Sequence, residues 1–162
     1  MNRMRITATA LMLGLAAATV GLVAQETNTS ERTILTFSSA VEMPGLTLQP
    51  GKYVLKLADT PSRNVVQAWN EKEDKMLGQW TFAQAERPET SEENVIMFKE
   101  LAAGTTPTVQ YWYFPGEKVG KEFIYPKDQA QRIAKRTGES VLTSEGAVDG
   151  EGKVIQRSDK KR

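Results

Sequence analysis

Residues 108–127 read TVQYWYFPGEKVGKEFIYPK, and the parsing of this stretch decides the fold. It holds half of the chain's 3 Trp, 4 Tyr and 5 Phe: Tyr111, Trp112, Tyr113, Phe114, Phe123 and Tyr125. Aromatic and β-branched residues fit the pleated, half-buried surface of a strand. Two such runs flank Pro115-Gly116, with a second glycine at Gly120, and read as two strands joined by a loop. In the first run Val109, Tyr111 and Tyr113 share one face and Gln110, Trp112 and Phe114 the other, so both faces carry aromatics.

Period-2 alternation continues upstream. Arg32–Ser38 (RTILTFS) puts Leu35 and Phe37 on one face. Lys52–Leu57 (KYVLKL) points Tyr53, Leu55 and Leu57 inward and Lys52 and Lys56 outward. Val65–Trp69 is a shorter run, and Met76–Gln84 places Met76, Trp80 and Phe82 on one side. Val95–Lys99 (VIMFK) is apolar on both faces, the composition of a central strand. Met43-Pro44-Gly45 and Gln49-Pro50-Gly51 each carry the Pro-Gly pair of a type II turn, since Pro fixes φ at the first corner and Gly accepts positive φ at the second.

Downstream, Lys127–Thr137 (KDQAQRIAKRT) reads as a helix. Ala130, Ile133 and Ala134 form an apolar stripe, Pro126 precedes the first turn, and Gly138 suits the position just past the C-terminus. After Tyr125 there is no aromatic residue, and from Gly138 to Arg162 five acidic and five basic side chains mix with four glycines. Such a composition buries too little apolar area to offset the entropy of ordering, so 138–162 is expected as a disordered tail. The expected fold is all-β: an antiparallel β-sandwich or open barrel of about seven or eight strands over residues 32–137, with one short C-terminal helix at 127–137.

Met1–Ala24 reads as an export signal. Arg3 and Arg5 make a positive start, a mostly apolar run follows, and small residues close it, with cleavage expected after Ala24. A retained anchor is the alternative, since a spanning helix needs roughly 17 to 25 residues. Polar Gln25–Glu31 follows as a flexible leader. The expected location is secreted or periplasmic, with no membrane span after cleavage. An exported chain without cysteine must hold by its core alone, which is feasible where roughly two-thirds of the extended surface is buried. Loss of Arg3 and Arg5 takes the 21 Lys and Arg to 19 against 20 Asp and Glu, a formal charge of −1. Interspersed charge near neutrality gives no footprint for nucleic acid or an anionic membrane.

The absences narrow the chemistry. With no His and no Cys, Ser-His-Asp and Cys-His catalysis are excluded, as are imidazole and thiolate metal sites. Acidic residues gather in polar loops (Glu71, Glu73, Asp74; Glu86, Glu89, Glu92, Glu93), where solvated charge is a simpler reading than paired carboxylates across a glycosidic bond. Asp149-Gly150-Glu151-Gly152 lacks the alternating ligands of a calcium loop. No catalytic residue, metal ligand or cofactor is expected. The positive feature is aromatic: Tyr111, Trp112, Tyr113, Trp80 and Trp69 are the candidate surface for a protein partner, a second copy of the chain, or a sugar, unless they fill the core. The leading expectation is a non-enzymatic envelope or extracellular module that binds a protein partner or is structural. A carbohydrate-binding module using Trp112 with Trp80 or Trp69 is the alternative.

Leu48–Leu57 (LQPGKYVLKL) resembles the L-x-P-G-x-Y-x-L-x-L opening strand of transthyretin-like and carboxypeptidase-regulatory-like β-sandwich modules. With RNVVQ at 63–67, VIMFKE at 95–100, YFPG at 113–116 and EFIYPK at 122–127, the order of motifs over 32–135 is similar to small exported bacterial β-proteins of uncharacterised function. The resemblance implies a β-sandwich and export, and brings no catalytic or binding residues.

Overall fold

The structure, a computed structural model, describes residues 32–99 and 104–156 and the backbone of Val23–Gln25. The elements in chain order are β1 (Val23–Gln25), β2 (Arg32–Phe37), β3 (Val41–Met43), β4 (Leu46–Leu48), β5 (Gly51–Leu57), β6 (Val65–Asn70), β7 (Met76–Glu86), β8 (Val95–Phe98), β9 (Val109–Tyr113), β10 (Val119–Phe123), α1 (Lys127–Thr137), β11 (Val141–Thr143), β12 (Gly146–Val148) and β13 (Val154–Ile155). The main sheet is antiparallel, in the order β1-β2-β5-β6-β7-β10-β9-β8. From β2 to β8 it curls into a half-barrel, so the all-β fold takes its open-barrel form. The curl brings β2 near the segment before β8, where Thr33 Oγ1 donates to Asn94 Oδ1 at 2.6 Å.

Register explains the core. Cross-strand partners share a face, so the pairs Leu35–Tyr53, Leu55–Ala68, Val66–Trp80 and Phe82–Phe123 line the concave side. Trp112, paired with Ile96, joins the same hydrophobic cluster. Leu35, Phe37 and Leu55 are buried there and Tyr53 and Leu57 pack against them, as the alternation requires. Two aromatic rings fill the space a side chain would take at a glycine: Trp80 at Gly78 on the concave face and Tyr113 at Gly120 on the convex face. Gly120 is therefore a residue inside β10 rather than part of the loop.

One end of the concave face is plugged by the β3–β4 hairpin and α1. Trp80 Nε1 donates to Pro44 O at 2.7 Å, Gln129 Nε2 donates to Met43 O at 2.9 Å, and Gly45 N donates to Gln129 Oε1 at 2.8 Å. The hairpin turn places Gly45 at φ +75, as a type II turn requires, and Gly116 has the same φ in the β9–β10 turn. Gly51, expected in a third such turn, instead opens β5 opposite Phe37. Glu42 on β3 ties the plug together: its carboxylate accepts from Gln129 Nε2 at 3.0 Å, Arg136 Nη2 at 2.7 Å and Thr108 Oγ1 at 3.1 Å. Burial acts to raise the Glu42 pKa, but these three donors, with Arg136 foremost, outweigh it and hold the group below its ordinary value. α1 spans the residues its apolar stripe predicts, with Ala130, Ile133 and Ala134 all at 0 % exposure and Gly138 at φ +74 closing it.

Some elements depart from the sequence reading. The tail expected from Gly138 is structured through Gln156: β11, β12 and β13 form a small antiparallel sheet packed on α1. Its apolar content is low, yet Val141 and Val148 are buried in the same cluster as Ile133, because the helix supplies the surface the segment cannot make for itself. Residues 157–162 lie outside the described residues. Val95–Phe98, expected at the centre of the sheet, is its edge strand. A register shift between Ala68 and Trp69 pairs Trp69 with Met76, so Leu77 packs on the core in place of Met76, which is 43 % exposed. The expected export signal and leader fall outside the described residues except for Val23–Gln25. Among the described residues no helix is long and apolar enough to cross a membrane.

Candidate functional site

The aromatic candidates do not form one surface. Trp112 is 0 % exposed on the concave face, edge-on to Phe114 with centroids 5.8 Å apart. Trp80 shares that face, edge-on to Phe123 at 5.9 Å, with its indole N–H committed to Pro44. Trp69 lies on the convex face of β6, where Lys56 Nζ sits 4.4 Å from its ring centre. A sugar platform of Trp112 with Trp80 or Trp69 is not assembled: Trp112 and Trp80 are inward, and Trp69 is on the opposite side of the sheet. The physical reason is the register of β9 between β8 and β10, which sets Trp112 opposite Ile96 and Lys121 on the core side. That register is invisible in a stretch with aromatics on both faces.

Tyr111 and Tyr113 are brought together on the convex face, with centroids 5.9 Å apart. With Met97, Ala85, Arg87 and Pro88 they line a groove of about 350 Å³. Met97 is the cross-strand partner of Tyr111 and is 45 % exposed. Arg87 forms the far wall, its guanidinium 4.6 Å from the Tyr113 ring centre. Its Nε donates to Glu117 O at 3.0 Å and its backbone N–H to Lys118 O at 2.9 Å, so the same residue pins the β9–β10 turn. Burial raises the Tyr113 pKa, with Glu122 adding to the rise and Arg87 opposing it. The phenol stays neutral at ordinary pH and keeps its O–H donor.

A second concavity, of about 370 Å³, opens at the unplugged end of the concave face. Leu57, Phe82 and Val119 supply apolar wall, Lys121 lies among them, and Arg63, Glu117 and Lys118 also line it. Lys121 is only 5 % exposed; its Nζ donates to Glu117 Oε2 at 3.0 Å and lies 5.3 Å from the Trp112 ring and 5.7 Å from the Phe114 ring. The sequence reading missed Lys121, because a lysine between Gly120 and Glu122 looks solvated. The available signal was alternation: 119, 121 and 123 share the face of Phe123, which is core.

No group of three or more acidic residues able to hold a metal ion occurs among the described residues. Asp149 shapes its own turn, accepting from Glu151 N at 3.0 Å and Lys153 N at 2.9 Å. Comparison with protein-family models, with curated proteins and with solved structures returns no match.

Proposed function

We propose that the chain is an exported, non-enzymatic module that binds protein by taking an extended segment of a partner onto the outer edge of β8. One observation carries this reading: a strand with the two apolar faces of a central strand stands at the edge of the sheet. Its convex side puts Met97, 45 % exposed, beside Tyr111 and the groove of Tyr113 and Arg87. An edge strand offers a row of backbone donors and acceptors for a further strand, and proteins ordinarily shield such edges with charge or proline. Val95-Ile96-Met97-Phe98 has neither. In strand addition the main chain supplies affinity and pockets for alternate side chains supply specificity; the convex groove is such a pocket. The occupant is an extended, apolar partner segment, which would continue the sheet from β8 around the half-barrel.

The test is selection from a library of displayed extended peptides against the full chain, followed by titration of the selected peptides. Met97→Lys sets a charge into the groove and should weaken them by about tenfold or more, while the unfolding free energy stays within about 0.5 kcal/mol of the parent's. A doubled mass in light scattering that Met97→Lys abolishes would identify the partner as a second copy. A strictly monomeric protein that selects no Met97-dependent peptide would refute the proposal. Export rests on Met1–Ala24, and N-terminal sequencing of the exported protein should begin at Gln25, with Val23 and Ala24 of β1 removed and β2 left as the outer strand.

A further inference from the structure

We infer that the unplugged end of the concave face is a binding site for a small amphipathic anion, an apolar body carrying a single carboxylate. This site lies on the opposite face of the sheet from the groove proposed for a protein partner, and it stands or falls independently. Its floor holds the unusual group. Lys121 is 5 % exposed, and buried ammonium groups are costly unless their donors are satisfied. An ammonium has three N–H donors and no acceptor. Glu117 Oε2 takes one at 3.0 Å, the faces of Trp112 and Phe114 attract the charge but accept no conventional hydrogen bond, and Gln84 stands opposite Lys121 on the neighbouring strand.

The surroundings match an anion with an apolar body. Leu57, Phe82 and Val119 line the cavity, and Val119 is 45 % exposed, so apolar wall stands open to solvent. Lys118 joins Lys121 against one lining acid, Glu117, which gives the cavity an excess of positive charge. A carboxylate entering between these walls meets the remaining Lys121 donors in a partly desolvated setting, where charge-assisted hydrogen bonds are short and strong. The volume of about 370 Å³ is near the small end of ligand sites, which span roughly 300–1,000 Å³. It suits a short aliphatic or single-ring acid.

The probes are octanoate, octan-1-ol and acetate, titrated into the full-length protein and followed by the indole N–H resonance of Trp112, whose ring lies 5.3 Å from Lys121 Nζ. Octanoate should saturate at one site, and both the uncharged alcohol and the tail-less acetate should bind about tenfold more weakly or worse. Lys121→Met should abolish measurable octanoate binding, and Lys118→Glu, an exposed change at the rim, should weaken it several-fold. Should Lys121→Met not fold, Lys118→Glu decides. Absence of saturation, equal binding of octan-1-ol, or an octanoate affinity unchanged in every folded variant would overturn the inference.

Discussion

At Gly120 the missing side chain is what leaves room for the Tyr113 ring against β10: a Cβ there would stand 2.3 Å from the ring. The glycine costs strand propensity, and the ring laid over it restores buried area and forms the base of the convex groove. Gly120→Val should therefore lower stability by about 1–3 kcal/mol through overpacking, despite the better β propensity of valine. A urea midpoint equal to the parent's would contradict this. The same residue shows how a local reading goes astray. A glycine five positions after Pro115 looks like loop, and only the facing strand reveals that a ring needs the space. Lys121 and Trp112 teach the same lesson, since each is placed by its cross-strand neighbour rather than by its own chemistry.

α1 and the strands that follow it form one cooperative element. The helix was legible to the residue, because stripe, the proline preceding the first turn and αL glycine all agree. The strands after it were not, because Val141 and Val148 sit in apolar pairs, Val141-Leu142 and Ala147-Val148, within a polar sequence. Their burial depends on Ile133 and Ala134, presented by a helix whose other neighbours are the β3–β4 hairpin and the sheet. Truncation after Gly138 removes both valines, each nearly fully buried. At roughly 1.5–3 kcal/mol per buried valine, the loss should be about 3–6 kcal/mol, read as a large fall in the thermal or urea midpoint. A truncated chain as stable as the full one would show that the segment is not part of the cooperative unit.

For the molecule as a whole, the ionisable groups tied into the fold define a broad pH plateau. Glu42 is held below 4.5 by Arg136, Gln129 and Thr108 against its burial, and Glu73 is held below 4.5 chiefly by Arg32, with Lys56 adding. Such groups stabilise the fold above their unfolded value and cease to do so as pH falls through the lower folded value. Tyr125 has the opposite sign. Burial lifts its phenol well above 10.0, so the native state keeps the proton, and this stabilisation is lost as pH rises past that value. With no His and no Cys in the chain, no side chain of ordinary pKa titrates between. The urea midpoint should change little between about pH 6 and 9 and fall below about pH 4 and above about pH 10, and Glu42→Gln should flatten the acid limb. A midpoint that dropped steeply between pH 6 and 7 would refute this account.

By itself the sequence determined the class of fold. Alternation in Arg32–Ser38 and Lys52–Leu57, Pro-Gly pairs at the turns, and a capped apolar stripe at Lys127–Thr137 are local signals, and hydrogen-bond geometry and side-chain period decide them without reference to distant residues. It also determined the absence of thiol and imidazole chemistry. Tertiary structure decided which way the aromatic stretch faces, that VIMF stands at an edge instead of the centre, that the segment after Gly138 folds on α1, and that Lys121 is enclosed beside a cavity. Each of these depends on strand order and register between segments far apart in the chain. A shift of one residue in register exchanges the two faces of a strand, and for residues 108–127, aromatic on both faces, nothing within the stretch marks which face is inward.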